Sequence, residues 1–197
     1  MSALDNSPRP QPPPPPRVPV LYQRQTTSQR SGVNYLKAGF VGLIGAYGVV
    51  CALHPDTYRW LDLVNLVFHE AGHVVFGFFG EFFGVLGGTL MQVLVPVIAT
   101  GHFVWSGQRW SGMVTLFWVS QSLFNISVYV KDARVRALPL IGGDNAIHDW
   151  NWLLGRLGLL SWDQAIGSAI YAIGLLVFAV SILGGLYYSL NDQGADT

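Results

Sequence analysis

Long apolar runs separated by short polar clusters dominate the chain beyond its first thirty or so residues. Five runs stand out, at roughly 36–54, 61–80, 82–105, 112–130 and 164–190. A membrane-crossing helix needs about 20 mostly apolar residues, and each run reaches that length or comes close to it. The pattern predicts an all-α, polytopic integral membrane bundle of about five transmembrane helices. Gly84, Gly87 and Gly88 in the third run are small enough to let helix backbones approach closely, and Pro96 predicts a kink there. The run at 61–80 is the weakest by hydropathy, because ionisable residues interrupt it. The 131–160 connection mixes apolar stretches with Asp144, His148 and Asp149, and reads as an interfacial helix or a re-entrant loop after Gly142–Gly143.

Ahead of these runs, residues 1–32 are polar and proline-rich, including "RPQPPPPPRVP". That composition predicts a disordered or polyproline tail, with an SH3-like or WW-like domain as its candidate partner, and no secretory signal. The expected organisation is a tail at 1–32, a transmembrane domain at 33–190 and a short C-terminal tail at 191–197.

Composition strengthens the membrane reading. Only 11% of residues are charged, against about 25% in ordinary soluble domains. The formal net charge is zero, so no global basic field exists for nucleic acid. The single cysteine, Cys51, has no partner for an intrachain disulfide. Cytoplasmic loops are enriched in Lys and Arg. With five spans and the N-terminus in the cytoplasm, nine of the eleven basic residues fall on the cytoplasmic side, leaving Arg59 and Arg109 outside. This map places the C-terminus outside.

One cluster changes the picture from architecture to chemistry. "FHEAGHVV" at 68–75 sets His69, Glu70 and His73 in an apolar run. Ionisable groups at membrane depth cost about 2.5–3.5 kcal/mol each on insertion scales and imply a function. The spacing is H-E-x-x-H. Residues i and i+4 share a helix face, so both imidazoles can bind one metal, and the glutamate beside them can act as general base. Zn2+ suits such a set. Haem is a rival reading, with His102 as a second axial ligand, because two histidines one turn apart cannot clamp one iron from opposite faces.

These three residues resemble the site-2 protease class of intramembrane zinc metalloproteases. The resemblance implies a helical membrane core, zinc at membrane depth, and cleavage of peptide bonds in or near the bilayer. That class usually takes its third ligand from an aspartate in an Asp-Gly motif on a later helix. Here "GGDNAIHDW" at 142–150 occupies the comparable position but reads differently.

Catalytic zinc usually has three protein ligands. His148 and Asp149 are the leading candidates for the third, with Asp144 one helical turn earlier. Gln92 and Asn125, polar residues inside spans, are candidates to orient a ligand or hold substrate. Asp62 and Glu81 flank the second run and read as interfacial charges. The expected activity is zinc-dependent hydrolysis of peptide bonds, with Glu70 as base and a membrane protein or peptide as substrate. The alternatives are a zinc hydrolase acting on a lipid-like or small amide substrate, and a non-catalytic metal- or haem-binding membrane subunit.

Overall fold

The computed structural model describes residues 32–141 and 147–192, and among them the regular structure is helical. The helices are α1 (Tyr35–Leu53), α2 (Trp60–Gly77), α3 (Glu81–Trp105), α4 (Arg109–Lys131), α5 (Asp149–Arg156) and α6 (Asp163–Leu190), with a 3-10 turn at Leu160–Trp162 leading into α6. Local chemistry sets several boundaries. The Asn34 side chain accepts the Lys37 N–H at 3.1 Å and caps α1. Gly80 and Gly107, with φ of 99° and 81°, make the turns before α3 and α4, a conformation that disfavours any side chain. Pro96 lies within the continuous span of α3, and Thr100 Oγ donates to its carbonyl at 2.8 Å.

Four stretches are long and apolar enough to cross a membrane: α1, α3, α4 and residues 160–190. α4 is their common partner, with 50% of its apolar window buried against 17% for 160–190. The outer helices turn large apolar side chains such as Leu43, Leu176 and Leu183 outward.

The order of contacts along α4 fixes the direction of each neighbour. Phe40 and Tyr47 of α1 meet Trp110 and Phe117, and Cys51 and Ala52 cluster with Phe124. α1 therefore runs parallel to α4. Gly184, Gly174 and Gly167 of α6 face Met113, Phe124 and Lys131 in turn, so α6 is antiparallel to α4. Thr100 and Gln92 of α3 bond Thr115 and Asn125, so α3 is antiparallel as well.

This arrangement has four helices long and apolar enough to cross a membrane, where the sequence pattern predicts about five. α1 and α4 begin at the end of the bundle where α3 and α6 finish. There Gly32 and Asp192 exchange backbone hydrogen bonds, each 3.1 Å, and Lys37 pairs with Asp192 at 3.3 Å. The two ends of the described chain thus meet, whereas five alternating crossings place them at opposite ends. It follows that α1 finishes at the end where α3 starts. α2 joins those two points, so it enters and leaves at one end of the bundle. Its first turns reach inward, with Trp60 stacked on Tyr47 and Asp62 bonded to Gln121 of α4. Its last turns lie along α3, where an added Cβ on Gly87 would sit 2.5 Å from the Gly72 carbonyl oxygen. Close backbone contact of this kind needs glycine on both helices.

Candidate metal centre

Three side chains converge from two elements. His69 and His73 project from one face of α2, and Asp149 is the first residue of α5. Asp149 Oδ2 lies 2.9 Å from His69 Nε2 and 3.3 Å from His73 Nε2. One ligand atom from each of the three lies within 4.8 Å of the others, a group able to hold a metal ion.

The ring tautomers follow from the opposite nitrogens. His73 Nδ1 donates to the Gly84 carbonyl at 2.8 Å. His69 Nδ1 donates to Gln92 Oε1 at 3.3 Å. Gln92 is oriented by its own amide, whose Nε2 donates to Asn125 Oδ1 at 2.9 Å. Neutral rings held in this way carry their protons on Nδ1 and present bare Nε2 lone pairs. Two lone pairs and a carboxylate oxygen then face one point, a donor set that a cation satisfies. Gly88 keeps that point open: an added Cβ there would lie 2.6 Å from His69 Nε2 and 2.7 Å from His73 Nε2.

Asp149 is buried, at 6% exposure. Burial pushes its carboxyl up, but where the two histidines carry protons on Nε2 their hydrogen bonds to it pull it down further, leaving it below the ordinary aspartate value. Its position is set by its neighbours. Its N–H donates to Tyr129 Oη at 3.1 Å, and Trp150 Nε1 donates to Thr89 Oγ at 3.2 Å. Asn151 Nδ2 donates to the Ala133 carbonyl at 2.8 Å.

His148 does not join the centre, which corrects its candidacy as a ligand. Its Nδ1 accepts the Asn151 N–H at 3.2 Å and caps α5, and its Nε2 donates to Asp132 Oδ2 at 3.2 Å. Both nitrogens are committed to this cap. Asp144 lies outside the described residues. The haem pairing also lacks support, because His102 is in the last turn of α3, about 15 Å along the helix axis from Gln92.

Glu70 is exposed and lines a cavity of about 520 Å³ together with His69, Gln92 and Asn125. The cavity walls include Pro55–Tyr58 from the α1–α2 loop and Leu138–Ile141 from the segment after α4. The five-span map places those two segments on opposite faces of a membrane; here they border one space, as the course of α2 requires.

Asp62 belongs to this site, although its place at the start of an apolar run predicts an interfacial charge. It is buried, at 4% exposure, rather than interfacial. The carboxylate accepts from Gln121 Nε2 at 2.6 Å, Asn125 Nδ2 at 3.1 Å and the Arg59 N–H at 2.7 Å. The available signal was its place seven residues before His69, two turns away on the same helix face. Tyr129 gave no signal, since a tyrosine near a helix end resembles an interfacial aromatic. Comparison with family models, with curated proteins and with solved structures returned no match.

Proposed function

We propose that the chain is a zinc-dependent intramembrane metalloprotease that hydrolyses peptide bonds within or near the bilayer. The observation that carries this reading is the convergence of His69 Nε2, His73 Nε2 and Asp149 Oδ2 beside a cavity that Glu70 lines. A two-histidine, one-carboxylate set suits zinc with an open position for substrate. The aspartate also comes from the later segment where the site-2 protease resemblance anticipates one.

His69, His73 and Asp149 would hold the ion, which when bound supplies a Lewis acid for a carbonyl and for water. Glu70 takes a proton from the attacking water and delivers it to the leaving amine nitrogen. Gln92 and the Gly84 carbonyl keep the imidazoles in the tautomer that ligation needs. The apolar wall at Leu138–Ile141 receives substrate and limits water around the scissile bond.

The membrane topology that fits has four crossings, with α2 as a helix that enters and leaves at one side. Both ends of the described chain then lie on the side opposite the centre. Under this count the basic residues divide six against five, so charge no longer separates the sides.

The test is made on purified full-length chain in detergent. Metal analysis is expected to find zinc in the unmodified protein and in Glu70→Gln, and little in Asp149→Ala. Cleavage of fluorogenic apolar peptides is expected only in the unmodified protein. Undiminished cleavage by Glu70→Gln would sink the mechanism, and a haem absorption band without zinc would sink the metal assignment.

A further inference from the structure

We infer that Asp62 is a positioning residue for the metal centre, acting on His69 through Asn125 and Gln92. The inference rests on the zinc reading above and deepens it. The path leaves α2 at His69, whose Nδ1 donates to Gln92 Oε1 of α3 at 3.3 Å. Gln92 Nε2 donates to Asn125 Oδ1 of α4 at 2.9 Å. Asn125 Nδ2 donates to Asp62 Oδ1 at 3.1 Å, returning the path to α2 two turns before it began. Every donor along it points toward Asp62.

That common direction is the chemical content. An amide donates from nitrogen and accepts at oxygen, so fixing one end of a chain of amides fixes the other. A carboxylate can only accept. Asp62 therefore compels Asn125 to offer its Nδ2, Asn125 then turns its oxygen to Gln92, and Gln92 turns its oxygen to His69. The outcome at the far end is an Nδ1–H imidazole with its Nε2 lone pair free for a metal. Chains of hydrogen bonds that end on an ion also polarise one another, which raises the basicity of the ligand.

The burial of Asp62 needs such an account. Among the described residues its carboxylate forms no ion pair, and N–H donors alone hold it. Burying a charge is costly. Capping α2 through the Arg59 N–H would be served as well by a neutral asparagine. An asparagine, however, offers donors as well as an acceptor and leaves the direction of the path undetermined.

The experiment measures zinc affinity by chelator competition, and the visible spectrum of bound Co2+, on the full chain in detergent. Thermal unfolding runs alongside. Asp62→Asn is expected to weaken zinc binding by about 10- to 100-fold, the range for partners of metal-bound histidine, and to alter the Co2+ spectrum. Asn125→Leu cuts the path while leaving Asp62 bonded to Gln121 and Arg59, and is expected to weaken zinc to a similar degree. This second variant decides the matter if Asp62→Asn does not fold. Adding Gln92→Glu to Asp62→Asn places a carboxylate directly on His69 and reverses the path behind it, so it is expected to restore most of the affinity. Zinc affinity unchanged in both single variants, or a loss that Gln92→Glu leaves unrestored, would overturn the inference and reduce Asp62 to a structural cap. Failure of the unmodified chain to bind zinc would overturn the centre itself, and this inference with it.

Discussion

Two halves of this bundle solve the packing problem differently. Where α1, α4 and α6 meet, contact is made by shape. Gly48 lies against Phe117 and Phe178, Gly174 against Phe124, and Gly184 against Met113. Hydroxyls there mostly bond back into the local backbone, as Ser127 does to the Phe124 carbonyl and Ser189 to the Gly185 carbonyl. Where α2, α3 and α4 meet, contact is made by chemistry. Asp62, Asn65, Gln92, Gln121 and Asn125 bond one another across helices. Trp118 Nε1 and Ser122 Oγ both donate to Asn65 Oδ1. Polar side chains inside a membrane domain are costly unless they are satisfied. This molecule concentrates its cross-helix amide and carboxylate bonds around the candidate metal centre, where the partners of each side chain orient it.

The polar half is expected to lose most at Glu70. Glu70→Gln is expected to lower hydrolysis by about 10²- to 10⁴-fold, the usual contribution of a general base, with zinc content unchanged. Steady-state cleavage and metal analysis on the same preparation check it.

Glycines offer the sharper contrast. Gly88→Ala and Gly48→Ala both force a methyl group into occupied space, at a cost of about 1–3 kcal/mol in stability for overpacking. Only Gly88→Ala is expected to weaken zinc binding, because its methyl group lies at the histidine tips. Equal zinc affinity in the two variants, measured by competition, would erase the distinction between the halves.

A smaller effect is expected at His148. His148→Ala removes the α5 cap, which costs about 0.5–2 kcal/mol. Zinc affinity is expected to fall less than in Asp149→Ala. Thermal unfolding and zinc titration separate the two losses. The smallest effect is a negative one. Gly42→Ala, where an added Cβ meets nothing within 4 Å, is expected to leave zinc content, cleavage and unfolding temperature unchanged.

Hydropathy made α1, α3, α4 and α6 legible, because long apolar runs have one structural solution in a bilayer. Spacing made His69 and His73 legible as a pair. The course of α2 was hidden because its run is as long as a crossing helix, and length does not report which end of a bundle a helix returns to. On the proposed four-crossing topology, that one ambiguity reverses the charge map downstream of α2. Choosing between His148 and Asp149 from sequence was not possible, since adjacent residues at a helix start point in different directions and only the docking of Trp150 and Tyr129 decides which one faces α2. Asp62 was misread for a related reason. A carboxylate at the start of a run looks interfacial until the helix is known to begin inside the bundle.

The meeting of Gly32 with Asp192 makes the domain, in effect, a ring that happens to be cut there. The Ser106–Gln108 turn between α3 and α4 lies at the same end. A permuted gene, opened at that turn and closed by a linker across the native ends, would keep every helix in its direction and both new ends on their original side. On the proposed four-crossing topology, reporters joined at Gly32, at Asp192 or at the opened turn are expected to sample one compartment.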